Sequence, residues 1–379
     1  MLLARKTITA FVSLFVSYGV AFGGLKEDAK AIHVSGGEDH TLVLTADKGV
    51  WGCGPNGYRV GEVTYYYGVL GTGSNDPDLD QKVLTRTHGA NDVNYLDEIS
   101  DIAAGWKHSL ALDVNGFVWS WGWNSEGQLG DGTDLEKHSP VQVLSGEQDP
   151  NSQTSLLRYI ELISAGRSGQ HSLVVDANGY GYGWGYNEYG QCGNDANDCD
   201  ELTPVYVHQG EQPDDPNDAN DWLKHIVDIS AGSNNSIALE ADLSADPNSV
   251  FEGCVYTWGC NMWGEEWWDT MITDGWGLLG NASDVNFSDT PVKVLCGEQD
   301  VNEPNQVCLK YIVAISAGWD HLMALEKDDP YHPNLTLTGR VYTWGNNGAG
   351  WDSGGGRLGN GSATDGNSTP VLVLRAGLT

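Results

Sequence analysis

Four histidines, His40, His108, His171 and His321, recur at one position of an internal repeat. Histidine is the side chain best suited to general acid or base work near neutral pH. Catalysis needs such a group once, beside a nucleophile or a second acid, and a copy in every repeat marks a framework residue instead. The expected role is a histidine hydrogen-bonded inside each repeat. No nucleophile-and-base arrangement, paired-carboxylate motif, phosphate loop or zinc spacing stands above the repeat background. The chain is therefore read as non-enzymatic, with no catalytic residue, no metal ligand and no cofactor beyond the calcium considered below.

Carboxylates offer the second chemistry. Acidic loops read Gly146-Glu147-Gln148-Asp149-Pro150-Asn151, Gly210-Glu211-Gln212-Pro213-Asp214-Asp215 and Gly297-Glu298-Gln299-Asp300. They stand at one place in successive repeats and so are expected to crowd one face. This makes Glu147, Asp149, Glu211, Asp214, Asp215, Glu298 and Asp300 candidates for partner binding. Their oxygens suit calcium, but none follows the Asp-x-Asp-x-Asp-Gly spacing of a calcium loop, and plain solvated loops are the simpler reading.

Aromatic contact is the third. Trp106 and Trp319 each follow an Ala-Gly pair, and Trp267 and Trp268 lie in one segment after Trp263. Tryptophan presented to solvent is a contact residue for a protein partner or a sugar. The seven cysteines give two candidate disulfides, Cys192 with Cys199 and Cys296 with Cys308, each bracketing a short turn-rich segment. Cys254 and Cys260 flank Val-Tyr-Thr-Trp-Gly, and an extended strand holds them about 20 Å apart, too far to bond each other.

The elements that position these residues are short strands. The clearest copy runs Ile102-Ala103-Ala104-Gly105-Trp106-Lys107-His108-Ser109-Leu110-Ala111-Leu112, then Asp113-Val114-Asn115-Gly116, then Phe117-Val118-Trp119-Ser120-Trp121-Gly122. Alternation sets Leu110 and Leu112 on one face and small Ser109 and Ala111 on the other, which suits a strand sandwiched between neighbouring sheets. Asn115-Gly116 accepts the positive φ angles of a two-residue hairpin turn. A Gly-x-Leu-Gly element follows, as in Gly127-Gln128-Leu129-Gly130, and then a strand opened by proline, Pro140-Val141-Gln142-Val143, which fits an outer edge.

The glycine before the histidine segment recurs as Gly37, Gly105, Gly166, Gly232 and Gly318. Four strands per unit, repeated radially, describe an all-β propeller with blades at about 31–98, 99–161, 162–226, 227–312 and 313–379. The first and last copies are in phase to meet. A closed five-blade ring, an arc of a larger ring and an incomplete seven-blade propeller are all compatible with the repeats, in that order of preference.

Ala-Gly-x-x-His-Ser-Leu-Ala-Leu, Val-Trp-Ser-Trp-Gly-x-Asn, Gly-Gln-Leu-Gly-Asp-Gly-Thr and Pro-Val-x-Val together resemble the repeat of the regulator of chromosome condensation family, over residues 31–379. The resemblance implies a propeller, usually of seven blades, that presents loops from a rigid body to another protein. A carbohydrate- or calcium-dependent surface binder is the alternative, and guanine-nucleotide exchange on a small GTPase is a remote one. Light-sensing members carry Gly-Trp-Arg-His-Thr where this chain has Lys107 and Asp320 after its tryptophans, so their arginine cage is missing.

Composition narrows the partners. The chain has 52 acidic and 19 basic residues, a formal charge of −33, which repels nucleic acid and anionic membranes. Arg5 and Lys6 precede a largely apolar run from Ile8 to Val20 and the small-residue site Ala21-Phe22-Gly23. Residues 1–23 are therefore expected to be a cleaved export signal, too short in its apolar part to span a membrane. The mature protein would be secreted, periplasmic or at the cell surface.

Overall fold

The computed structural model describes residues 30–60, 63–73, 80–152, 154–197, 199–213, 220–241, 253–261, 277–283, 285–298, 308–326, 339–347, 357–362 and 366–374. The first sheet holds β1 (Ala31–Gly36), β2 (Thr41–Thr45) and β3 (Val50–Pro55). A hairpin of β4 (Gly57–Val60) and β5 (Val63–Tyr66) comes before its outer strand, β6 (Asp80–Arg86). The second comprises β7 (Ile99–Ala104), β8 (His108–Asp113), β9 (Val118–Gly122) and β10 (Lys137–Gln142). The third comprises β11 (Ile160–Ala165), β12 (His171–Asp176), β13 (Gly181–Gly185) and β14 (Glu201–Tyr206). The fourth comprises β15 (Ile226–Ala231), β16 (Asn235–Glu240), β17 (Val255–Cys260) and β18 (Phe287–Lys293), and the fifth β19 (Ile312–Ala317), β20 (His321–Glu326), β21 (Val341–Asn346) and β22 (Gly366–Leu372). Every pairing is antiparallel between sequence neighbours within a sheet, so each sheet is one blade.

There is no single core. Apolar side chains gather in four clusters, each straddling two consecutive blades. Trp121, Trp184, Trp258 and Trp344 are fully buried, one in each seam. The alternation expected on β8 is what builds this. Leu110 and Leu112 join Ile160, Tyr182 and Trp184 on one side, while Ala111 leaves room for Leu42, Leu44 and Trp121 on the other. Burying a tryptophan this way stabilises each seam by a few kcal/mol.

The chain does not close into a five-blade ring. Consecutive blades pack β1 and β2 on β7, β8 on β11, β12 on β15 and β16 on β19, but among the described residues the fifth blade builds no such seam with the first. Val34 is 51% exposed, whereas Ile102 at the same place in the second blade is 2% exposed. The first blade also carries Cys53 where the others carry the seam tryptophan, since Thr41–Cys53 and Ser109–Trp121 are equivalent neighbours of the β2–β3 and β8–β9 pairings. The preferred closed ring is thus replaced by an arc, because the leading face of the first blade lacks the residue that would wedge it against a fifth.

Among the described residues no helix is long and apolar enough to cross a membrane.

Candidate interaction face

Antiparallel blades put their connections at two ends. The loops between first and second strands share one face with those between third and fourth strands, as Trp123 N to Lys107 O (2.7 Å) and Tyr186 N to Gln170 O (2.9 Å) show. The hairpin turns and the links between blades occupy the other. Trp106 and Trp319 stand on the first face, and Glu147, Asp149, Glu211 and Glu298 on the second, so the candidate binding residues divide between two sides. Trp263, Trp267, Trp268, Asp214, Asp215 and Asp300 lie outside the described residues.

The second face uses its glutamates to hold the body together. Glu147 accepts a hydrogen bond from Tyr206 N (2.8 Å), Glu211 from Lys293 N (2.8 Å) and Glu298 from Leu372 N (2.8 Å), each on the outer strand of the next blade. The preceding glycines have φ of +51°, +57° and +54°, and a Cβ on them would lie 2.0, 2.0 and 2.1 Å from the carbonyl oxygens of Pro204, Pro291 and Pro370. Only glycine permits that approach. Gln148 and Gln212 return to the backbone at Arg158 and Lys224. The Gly-Glu-Gln loop is thus a clasp on the edge strand of its neighbour, and Asp149 is held by Ser155 Oγ at 2.9 Å. Among the described residues no group of three or more His, Cys, Asp or Glu side chains is placed to hold a metal ion.

Nearer the axis runs a second tie. His40 Nε2 meets Ser109 Oγ at 2.9 Å, His108 meets Ser172 at 3.0 Å and His171 meets Ser236 at 3.0 Å. The partner is on the next blade, which corrects the expectation of a bond inside each repeat. Each serine donates onward to the carbonyl of Val69, Gln128 or Gln191 in the histidine's own blade. The same oxygen accepts the indole N–H of Trp121, Trp184 or Trp258 at 2.8 to 2.9 Å. Since the hydroxyl proton points at the carbonyl, the histidine must donate from Nε2, leaving a neutral ring. Burial depresses the three pKa values to about 4, 3 and 3, with His171 and His40 adding to the effect at His108.

The acceptor carbonyls sit on the Gly-x-Leu-Gly bends, which asparagines fold. Asn124 Oδ1 accepts from Leu129 N at 2.9 Å, and Asn187, Asn261 and Asn347 repeat the contact. These asparagines close the Trp-Gly-x-Asn segment, so their recurrence was visible in the sequence without its purpose. In the third copy Cys192 fills the leucine position, fully buried. Its thiol lies 3.8 Å from the carbonyl oxygens of Gly185 and Tyr186. In the fourth blade the Cys308 thiol is hydrogen-bonded to Cys254.

The first face carries Trp106, Lys107 and Trp319. Lys107 Nζ lies 3.9 Å from the ring centre of Trp106, 4.7 Å from Tyr67 and 5.9 Å from Trp123, with Tyr67 and Trp123 edge to face at 5.1 Å. Three rings thereby fix one ammonium at a half-exposed site. Two extra residues before His171 let Arg167 reach across to Gly37 O at 3.3 Å. In the fifth blade Trp319 is 54% exposed beside Asp320, which is buried and held by Asn346 and Arg357. Asp200 and Glu126 meet here as a carboxylate pair no sequence motif signalled. Burial and the Glu126 hydrogen bond push Asp200 up to about 6.

Models of the "Regulator of chromosome condensation (RCC1) repeat" match residues 31–59, 99–128, 115–175 and 178–239. The chain is 30% identical over 218 residues to the ultraviolet-B receptor UVR8 of Arabidopsis thaliana, covering 58% of this chain and 40% of that relative, and so spans well under two thirds of it. Among solved structures it is similar to human WBSCR16, with a TM-score of 0.61 and 21% identity over 92% of this chain and 68% of that one. It is likewise similar to Prp20p of Saccharomyces cerevisiae, with a TM-score of 0.57 and 19% identity over 92% of this chain and 64% of that one.

Proposed function

The chain belongs to the regulator of chromosome condensation repeat family, and from that premise we propose that it is a non-enzymatic scaffold that binds a protein through the face carrying Trp106, Lys107 and Trp319. The observation that carries this reading is the 54% exposure of Trp319 in the fifth blade together with the ring-bound Lys107 in the second, both in loops of the same face. Large aromatics are among the side chains that dominate protein interfaces. The Prp20p structure is described with its binding to Gsp1p and histones, which supports protein recognition as a use of this fold. The strongly acidic body favours a basic partner.

The test is capture of partners by the immobilised chain, compared with the Trp106→Ala, Trp319→Ala double variant. A Val114→Ala variant on the opposite face, where Val114 is 44% exposed, is the control. Proteins kept by the control and lost by the double variant support the reading. Retention by both variants, or binding on a glycan array alone, overturns it. We further infer export, on the strength of Arg5, Lys6 and the apolar run from Ile8 to Val20. N-terminal sequencing of protein recovered from the medium should begin at Gly24, and an intact Met1 there would refute cleavage.

A further inference from the structure

The fourth blade places two cysteines where the third places a pair of aromatic rings. Backbone bonds fix the equivalence: Asp176 N binds Tyr180 O as Glu240 N binds Cys254 O, and Leu223 N binds Val207 O as Leu309 N binds Val294 O. Cys254 therefore stands at the position of Tyr180, and Cys308 at that of Trp222. In the third blade those two rings meet edge to face at 5.9 Å. In the fourth, the two thiols are hydrogen-bonded inside the cluster of Tyr256 and Trp258, with 9% and 6% of each residue exposed.

Basic side chains act on the Cys308 thiol. Lys293 pairs with Tyr256 as Tyr206 pairs with Tyr182, so an ammonium replaces the third ring of the aromatic group. The hydrogen bond from Cys254 draws the Cys308 thiol down to about 7, Lys310 and Lys293 add to this, and burial and Glu240 oppose it. Cys254 is raised, first by the bond to Cys308 and then by burial. The shared hydrogen bond thus favours the thiolate at Cys308 and the thiol at Cys254.

We propose that Cys254 and Cys308 are a redox pair that closes to a disulfide by exchange with a small disulfide oxidant. The Cys308 thiolate attacks one sulfur of the oxidant, forming a mixed disulfide and releasing one thiolate. The Cys254 thiol then loses its proton and attacks Cys308 Sγ, expelling the second thiolate. The balance is one protein dithiol and one oxidant disulfide converted to one protein disulfide and two small thiols. The bond would tie the rim of the fourth blade to the link leading into the fifth. That is also the seam lacking the histidine tie, since Asn235 and Leu322 stand where the other seams have histidine and serine.

The test is equilibration of the whole chain in glutathione buffers from reduced to oxidised, followed by alkylation and peptide mapping. Oxidation should yield a Cys254–Cys308 linked peptide, lower alkylation of Cys308 by roughly tenfold or more, and raise the melting temperature. Cys254→Ser should stop at a glutathione adduct on Cys308. A map that joins Cys308 to Cys296, or leaves both cysteines alkylatable after oxidation, overturns the proposal, and the wild-type map decides it even if the variant does not fold.

Discussion

His108 Nε2 donates to Ser172 Oγ across 3.0 Å, from the second blade to the third, and its Nδ1 has no protein partner. The same holds for His40 and His171, which makes these three seams sensitive to acid.

The folded pKa values, about 4, 3 and 3, lie below the unfolded value of 6.5. The unfolded chain therefore takes up these protons first. Stability from the three rings is complete above pH 6.5 and is lost as pH falls from there towards 4. Each histidine contributes a slope of about 1.4 kcal/mol per pH unit in that window. Melting curves between pH 7 and 4 should show the fall, and His171→Phe should reduce its slope. A flat profile over that range would remove the neutral-histidine account.

Trp184 gives its seam both area and a hydrogen bond to Gln128 O. Trp184→Phe should cost about 1–2 kcal/mol, the carbonyl keeping Ser172 as donor, whereas Trp184→Ala should cost about 3–5 kcal/mol. A negligible loss in Trp184→Phe by denaturant titration would show that the bond contributes nothing.

The clasp can be split into its two parts. Gly210→Ala sets a methyl group 2.0 Å from Pro291 O at a φ of +57°, and should cost about 3 kcal/mol by strain and displacement. Glu211→Ala removes the acceptor of Lys293 N and should cost about 1–2 kcal/mol. Chemical denaturation of the two variants checks the order.

The fourth seam offers a repair. Asn235 is fully buried with neither side-chain nitrogen nor oxygen bonded to protein, and the facing position holds Leu322. Asn235→His with Leu322→Ser should recreate the tie and stabilise more than the two single changes summed, by about 1 kcal/mol. An additive double-mutant cycle would mean that the backbones are spaced differently here.

Much of this architecture is legible along the chain because its causes are local. The strand at His108–Asp113 follows from alternation, the hairpin from Asn115-Gly116, and the outer edge from Pro140. The clasp was less legible. Glu147, Glu211 and Glu298 look like surface acids in any sequence window, because their acceptor role depends on N–H groups 59, 82 and 74 residues away. The contact of Cys254 with Cys308 was equally hidden, because the β16–β17 hairpin and the link after β18 meet only in space.

The sequence alone determined the repeat, the four strands of each blade, the buried tryptophans and the framework place of the histidines, since each depends on periodicity or residue type. The tertiary structure decided that His40, His108 and His171 reach the next blade, that the described acidic and aromatic candidates occupy opposite faces, and that the described strands of the five blades form an arc. Those outcomes depend on which surfaces meet across a seam, and burial and hydrogen bonding act on distance in space, which one-dimensional spacing does not encode.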